Sequence, residues 1–232
     1  MILALTCFTS ISLSGEIRGK VDAGPTLIYL DLLKSGKTED TKKMGGFKAD
    51  STVLVYEGIA IKPSLLMGWG DGKLVSGSIA AGYYIPLPGG WCNILPNVGI
   101  GWSYLDTRTK LDVNGIELKD LRQRMRSESP FIGIDFSFCI NKQWSIIGAY
   151  QYIWAHSDTQ INEFPDEFQQ LTNIKRIRDK SHSCGPNYSL GIEYSYNDQW
   201  AFNLGFGYNI SLSKEKHGIR GKGVKLGVGY YF

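Results

Sequence analysis

The chain ends in the stretch Lys222 to Phe232, which reads KGVKLGVGYYF. Every second residue of this stretch is apolar: Val224, Leu226, Val228, Tyr230 and Phe232. The residues between them are Lys225, Gly227, Gly229 and Tyr231. A strict period of two predicts a β-strand with one apolar face and one small or polar face. The stretch is about as long as a strand that crosses a bilayer at a tilt.

An alternation counted back from a terminal phenylalanine resembles the last strand of bacterial outer-membrane β-barrel proteins. The resemblance implies that Val228, Tyr230 and Phe232 form the assembly signal read by the barrel-assembly machinery. It also implies a location in the bacterial outer membrane, with outer-membrane lipid and lipopolysaccharide as neighbours. A fold and a membrane address do not define an activity, so the resemblance leaves the activity open.

The composition agrees with a barrel better than with a helical membrane protein. Mean hydropathy is −0.15, and no apolar run of the 232 residues is as long as a spanning helix. A barrel strand exposes only alternate residues to lipid, so it does not need such a run. The 28 glycines suit a crowded lumen, and the 13 tyrosines and six tryptophans suit two interfacial girdles. A soluble β-sandwich or small barrel also alternates, but it has less use for aromatic residues on an apolar face.

Charge and cysteine content exclude some partners. A net charge of +3 with a pI near 8.5 is too mild to predict binding of nucleic acid. No cysteine lies in a CxxC or Cys/His ligand spacing, so we expect no metal site, and no motif predicts a cofactor. Cys92 and Cys139 flank neighbouring predicted strands at one end of the barrel, where a disulfide is plausible. Two free thiols or an intermolecular bridge are the alternatives.

Seven strands are predicted after a tight turn at Gly70–Gly72. The first spans Lys73–Ile85, the last is the C-terminal stretch, and five lie between them, at Val98–Tyr104, Ile132–Cys139, Trp144–Trp154, Tyr188–Ser195 and Trp200–Ile210. Their apolar faces should meet lipid, and the faces with glycine, serine, asparagine and isolated charges should line the lumen.

The connections between these strands alternate in length. Two short turns are near-copies, Asn141-Lys-Gln-Trp144 and Asn197-Asp-Gln-Trp200, and each opens a strand with tryptophan. Two long polar segments, residues 106–129 and 155–185, separate other pairs. Short periplasmic turns and long extracellular loops are typical of outer-membrane barrels, and they place these tryptophans at the periplasmic girdle.

The N-terminal part is less regular. Residues 20–33 predict a strand with Thr26, Ile28, Leu30 and Leu32 toward lipid, Asp31 inward and a bulge at Pro25. Residues 34–50 are polar and predict a loop, and residues 51–69 predict two short strands that join near Pro63. The sequence therefore predicts an all-β, antiparallel up-and-down barrel of about ten strands. Eight strands are the alternative, with the early segment as a tail.

Residues 1–14 predict a signal peptide that precedes a barrel of residues 15–232. An apolar stretch is followed by Ser12-Leu13-Ser14 before Gly15, which fits a small-x-small cleavage site. The basic residues that usually open such a segment are absent, so the sequence does not fix the true start.

Few charges are predicted on lumen faces: Asp31, Glu57, Asp135, Glu193 and Lys225. Charge inside a narrow barrel is costly unless it is paired or hydrated, so we expect a packed polar network. A barrel of eight or ten strands leaves little free bore, which disfavours a wide pore. A narrow channel for small solutes is the alternative.

Basic clusters lie in the predicted loops. Two of them comprise Lys119, Arg122, Arg124, Arg126, Lys175, Arg176, Arg178 and Lys180. A third comprises Lys214, Lys216, Arg220 and Lys222. Such clusters at one rim predict binding of host or envelope polyanions, for example lipopolysaccharide phosphates or sulfated glycans. The alternative is a solvated surface that nearby acids neutralise, namely Glu117, Asp120, Glu128 and Asp179.

We find no sequence motif of an outer-membrane enzyme. The histidines are His156, His182 and His217, and neighbours such as His156-Ser157-Asp158 point to opposite faces of a strand. The favoured function is therefore a non-enzymatic membrane anchor whose loops stabilise the envelope, adhere or bind a ligand. The alternatives are the narrow channel and a rim-sited enzyme that acts on lipid or peptide.

Overall fold

The computed structural model describes residues 18–113 and 116–232 and contains, within them, ten long strands, one two-residue strand and one short helix. The first six strands are β1 (Arg18–Lys34), β2 (Lys37–Tyr56), β3 (Ile59–Gly70), β4 (Gly72–Tyr83), β5 (Ile85–Pro86) and β6 (Cys92–Val113). The remaining elements are β7 (Ile116–Cys139), β8 (Trp144–Asn162), α1 (Asp166–Thr172), β9 (Ile177–Ser195), β10 (Trp200–Leu212) and β11 (Gly218–Tyr231). The predicted signal peptide, residues 1–14, lies outside the described residues.

The ten long strands close into one antiparallel barrel. Each long strand pairs with the next along the chain, β4 pairs directly with β6, and β1 pairs with β11 to complete the ring. The short β5 adds only to the start of β6. The predicted ten-stranded up-and-down barrel is therefore confirmed, and the eight-stranded alternative is wrong.

The two ends of the barrel differ. At the end that we call the terminal end, Gly19 and Phe232 exchange two backbone hydrogen bonds of 3.0 Å across the β1–β11 closure. The connections there include the turns β7–β8 and β9–β10, in which Asn141 and Asn197 each accept two backbone N–H groups. This shared turn chemistry explains why the Asn-x-Gln-Trp sequence occurs twice.

At the opposite end, the far rim, neighbouring strands have very different lengths. Strands β6 and β7 have 22 and 24 residues and β8 and β9 have 19 each, whereas β3 and β4 have 12. Most of the two long polar segments predicted as loops is therefore strand. Polar residues occupy both faces there because both faces are outside lipid, and the hairpin partner satisfies the backbone. Leu118, Leu121 and Met125 have the spacing of a helix face in the sequence, but they belong to β7.

The N-terminal prediction was wrong in its details. Residues 34–50 do not form a loop, because most of them belong to β2. The β2–β3 turn lies at Glu57–Gly58 rather than near Pro63. The register between β1 and β11 is uniform around Pro25, and the irregularity of β1 lies instead between Leu32 and Leu33, against β2.

Up to residue 32, the side chains of β1 that were predicted to face lipid point into the lumen, and those predicted to face the lumen point outward. Thr26, Ile28 and Leu30 are buried inside the barrel, whereas Leu27 and Tyr29 are exposed on its outer wall. The prediction failed because β1 is apolar on both faces at this level, with lipid on one side and an apolar layer of the lumen on the other.

The outer wall carries a continuous apolar belt. Apolar side chains predicted to face lipid are exposed there, among them Val98 (64%), Ile132 (57%) and Phe206 (56%), and the residues Val228, Tyr230 and Phe232 of the predicted assembly signal. Near the terminal end, Trp144 packs on Tyr194 and Trp200 on Tyr230 with ring centroids 4.9 Å apart. Trp102 and Trp154 lie near the upper edge of the belt. The helix among the described residues is too short and too polar to cross a bilayer.

Candidate functional site

Charged and amide side chains occupy the lumen toward the terminal end, beside a small apolar cluster of Ala60, Tyr84 and Leu95. Lys225 donates hydrogen bonds to Asp22 and, at 3.0 Å, to Asp50, and Asn203 donates to Asp22. These groups come from β1, β2, β10 and β11, so the network ties together the strands on both sides of the closure. Asp22 and Asn203 are buried, which the pairing makes tolerable.

Two further ion pairs extend the same polar layer. Lys62 on β3 donates to Asp135 on β7, across the bore, and Asn97 donates to the other oxygen of Asp135 at 3.3 Å. Lys20 on β1 donates to the buried Glu193 on β9. Lysine side chains therefore bridge acids on strands that are not neighbours in the sheet, and the bore is crossed rather than merely lined.

An apolar layer lies above this polar layer, toward the far rim. Its buried members are Ile28, Leu30, Met44 and Leu105, of which Leu105 is 1% exposed. The partly buried side chains packed against them are Leu32, Leu66, Leu74, Met125 and Ile219. Together they come from seven of the ten long strands. We call this layer the lumen plug, and in a barrel of ten strands such side chains leave little free bore at this level.

Three of the five predicted lumen charges lie in the lumen, and two do not. Asp135, Glu193 and Lys225 belong to the polar layer. Asp31 instead lies on the outward face near the far rim, where it accepts hydrogen bonds from Thr41 at 2.7 Å and Arg220 at 2.8 Å. Glu57 lies in the β2–β3 turn, so its predicted place in the lumen is wrong as well.

Sequence reasoning missed five charges of the polar layer. They are Lys20, Asp22, Lys48, Asp50 and Lys62. The first two share the face of β1 that carries Thr26 and Ile28, so the correct phase of that strand would have placed them inside. The other three lie in the segments predicted as a loop and as a strand junction, where no lumen face was assigned.

Acids neutralise much of the predicted basic clusters. Arg122 donates two hydrogen bonds to Asp106, at 3.0 and 2.7 Å, and Arg178 holds Asp158 in the same bidentate manner. The arginine hydrogen bonds hold the pKa of each carboxyl below its ordinary value. Arg124 lies 3.5 Å from Asp106. These pairs project outward above the apolar belt, so they are outside the membrane-spanning part.

Other members of the clusters have no carboxylate partner within 4.0 Å among the described residues: Arg126, Lys175, Arg176 and Lys180, together with Lys214 and Lys216 of the third cluster. The side chain of Lys119 lies outside the described part of the structure. Arg126 rests over the ring of Tyr104, 5.9 Å from its centroid. The free cations therefore occur at two places, on the outer wall and at the tips of the far rim.

The histidines do not form a catalytic triad. His156 and His182 contact each other edge to face on the outer wall, with centroids 4.7 Å apart. Ser157 points the other way, into the barrel, and bonds the hydroxyl of Ser127 at 3.2 Å. His217 lies 3.7 Å from Glu215 in the β10–β11 connection.

The predicted disulfide between Cys92 and Cys139 is absent, because Cys92 is a buried free thiol. Their strands pair with Cys92 opposite Phe138 rather than Cys139, so the two sulfur-bearing side chains leave the sheet on opposite faces. The described residues include no group of three histidine, cysteine or acidic side chains arranged to hold a metal ion.

Comparison with solved structures supports the class that the fold defines. The outer membrane protease OmpT from Escherichia coli aligns with a TM-score of 0.57 and 11% identity, over 97% of this chain and 99% of that one. The translocator domain of the autotransporter NalP from Neisseria meningitidis aligns with a TM-score of 0.50 and 11% identity, over 95% of this chain and 91% of that one. The attachment invasion locus protein Ail of Yersinia pestis aligns with a TM-score of 0.44 and 12% identity, over 94% of this chain and 99% of that one. At such low identity the likeness concerns the fold alone.

The closed barrel and its exposed apolar belt define a membrane-spanning β-barrel of the outer-membrane type. Residues 68–225, more than half of the chain, match the model of the Protochlamydia outer membrane protein family, Pom. The chain belongs to that family and is an outer-membrane protein. No curated protein sequence matches it. With this location, the terminal end is periplasmic and the far rim faces the outside.

Proposed function

We propose that the protein is a non-conducting membrane anchor that holds a stiff wall of extended hairpins at the cell surface. The observation that carries this proposal is the double filling of the lumen. A polar layer crossed by Lys62–Asp135 and Lys20–Glu193 lies below an apolar plug in which Met44 is 3% exposed. A passage for polar solutes needs a continuous wet path, and the lumen plug interrupts it.

Removal of plug side chains tests this anchor role. The variant Met44→Ala/Leu105→Ala removes two of the most buried side chains of the plug, and Leu190→Ala/Leu204→Ala is the control on the lipid face. In vesicles loaded with potassium, wild type and control should release no more than empty vesicles, and the plug variant should leak. Fast release by the wild type would contradict the proposal and favour the narrow channel.

The tips of the far rim supply the surface for a ligand. Lys175 and Arg176 are exposed in the β8–β9 connection, and Lys214 and Lys216 are exposed in the β10–β11 connection. These two connections belong to neighbouring hairpins, and the β8–β9 connection lies higher, because β9 extends from Cys184 back to Ile177 beyond its pairing with β10. Exposed cations that have no carboxylate within 4.0 Å among the described residues suit a soluble polyanion such as a sulfated glycan. We propose adhesion through such a ligand as the role of the tips.

Retention on immobilised heparin tests the ligand class. The tip variant replaces four cations with glutamine: Lys175, Arg176, Lys214 and Lys216. The control variant makes the same charge change at exposed lysines outside these two connections: Lys43, Lys73, Lys110 and Lys142. The tip variant should elute at clearly lower salt than the control. If both variants elute at the same salt concentration, the weaker retention is due to the lower net charge alone, and this result would contradict a role of the tips.

A further inference from the structure

A second basic feature lies on the side of the barrel rather than at its tips. It is a pocket of about 620 Å³ on the outer wall of β6–β9, which we call the wall pocket. Strand register builds its upper row, in which Tyr104 lies opposite Arg126, Arg126 opposite Asp158, and Asp158 opposite Lys180. The row below it contains Trp102, Glu128, His156 and His182.

Two cations of the wall pocket lack a carboxylate partner. Asp158 lies between Arg126 and Lys180, but Arg178 from the next row already holds both of its oxygens. Neither Arg126 nor Lys180 has a carboxylate within 4.0 Å in the described ranges. Glu128 is the other acid of the pocket, and it projects from the lower row. The upper row therefore offers a guanidinium and an ammonium for an anion.

The height of the wall pocket determines which anion it meets. Ile100 and Trp154 lie one row below the row of Trp102 and His156, on the same outward face, and both are exposed in the apolar belt. The pocket therefore opens sideways, into the layer of lipid headgroups, and not upward into solvent. An anion bound there continues downward into acyl chains that cover the belt.

We propose that the wall pocket binds the phosphate of a phosphorylated glycolipid of the outer leaflet, of the lipopolysaccharide type. Arg126 and Lys180 hold the phosphate oxygens by charge-assisted hydrogen bonds, and the Tyr104 ring supports the guanidinium from behind. The apolar belt below, around Ile100 and Trp154, receives the acyl chains. The bound lipid seals the tall side of the barrel against the bilayer.

Native mass spectrometry of the full chain in detergent, with lipid A that carries two phosphates, tests this site. The variant Arg126→Ala/Lys180→Ala should bind about tenfold or more weakly than the wild type, since two charge-assisted contacts are lost. The control Lys43→Ala/Lys222→Ala removes two exposed cations that flank Tyr29 on the opposite wall, and it should bind within about twofold of the wild type. Heat-modifiable migration confirms that both variants fold.

Two further arms separate the sources of the phosphate. Lipid A stripped of its phosphates should bind like the double variant, and inorganic phosphate in excess should not displace the intact lipid. If both double variants lose lipid A binding equally, the lipid is attracted by surface charge in general, and the assignment of the phosphate site to Arg126 and Lys180 is overturned. Full displacement by inorganic phosphate would overturn the lipid as ligand. None of these arms depends on whether the lumen conducts.

Discussion

At residue 24 the two strands that close the barrel approach more closely than any side chain permits. A Cβ atom built on Gly24 would lie 1.8 Å from the carbonyl oxygen of Leu226. Glycine is therefore required at this point of the β1–β11 closure, because any other residue forces the strands apart. Gly45, on the outer wall of the neighbouring β2, has no atom within 4 Å of the same position and is the matched control.

The variant Gly24→Ala should destabilise the barrel by about 1–3 kcal/mol, the usual cost of forcing an atom into a filled site. Gly45→Ala should change stability little or improve it slightly, since alanine reduces the freedom of the unfolded chain. Urea unfolding of both variants in lipid vesicles measures the difference. Similar midpoints for the two variants would show that the closure tolerates a wider gap.

Lys225 is the residue on which the polar layer most depends. It serves two acids, and its side chain and that of Asp22 are 12% and 11% exposed. Lys225→Met should cost about 3–5 kcal/mol, because it leaves the buried Asp22 carboxylate without a counter-charge, whereas Asp50 keeps Lys48 at 3.2 Å. The double variant Lys225→Met/Asp22→Asn should recover part of that loss, as measured by thermal unfolding. If the single variant is as stable as the wild type, water rather than Lys225 compensates the acids.

At the scale of elements, the extended hairpins have a small core of their own. Helix α1 contributes Phe168, which packs with Leu118 and Leu121 of β7 and with Phe164. Ion pairs from Arg108 and Arg122 to Glu163, each 3.5 Å, join the β6–β7 hairpin to the segment before the helix. The wall above the membrane is thus stiffened by packing that is independent of lipid.

Phe168→Ala should loosen this core without unfolding the barrel. Phenylalanine-to-alanine changes in a core cost about 3–5 kcal/mol, and here the loss falls on a unit outside the membrane. We expect rapid protease cleavage between residues 163 and 176, with an unchanged thermal midpoint of the barrel. Tyr196→Ala, exposed in the β9–β10 turn, is the control. A lowered barrel midpoint would mean that α1 supports the barrel itself.

Acid should release the ion pairs of the same hairpins. The folded pKa values of Asp106 and Asp158 are lowered by Arg122 and Arg178, so these pairs stabilise above the unfolded value near 4. That contribution disappears as the pH falls through the folded values. Hydrogen exchange, corrected for its intrinsic pH dependence, should show lost protection in outer β6–β9 as the pH falls below about 4. The belt part of β10 should keep its protection, and equal loss there would indicate global unfolding.

The sequence predicted those elements in which one face was unlike the other. In β10 and β11, apolar residues alternate with glycine, asparagine and lysine, so strand, faces and closure followed directly. In β1 both faces are apolar beside the lumen plug, so alternation could not tell the lipid face from the lumen face. Above the membrane both faces of β6–β9 are polar, so alternation could not identify these segments as strands. Ion pairs such as Lys62–Asp135 could not be predicted, because they cross the bore between strands distant in sequence.

At the scale of the whole molecule, the lumen and the outer wall have different features. The lumen is filled by a polar layer and an apolar plug, and the outer wall carries the belt, the wall pocket and the tall hairpins. This arrangement suits a protein that anchors a surface rather than one that passes solute. The pairing of the lumen charges lowers the cost of placing them inside a narrow barrel.

Single-channel conductance of the refolded chain in a planar bilayer tests this account most directly. A folded, heat-modifiable barrel should give no discrete current steps at any applied voltage, because the plug around Met44 and Leu105 blocks the bore. Reproducible steps from the wild type would contradict the account and make the lining charges Asp135, Glu193 and Lys225 determinants of ion selectivity.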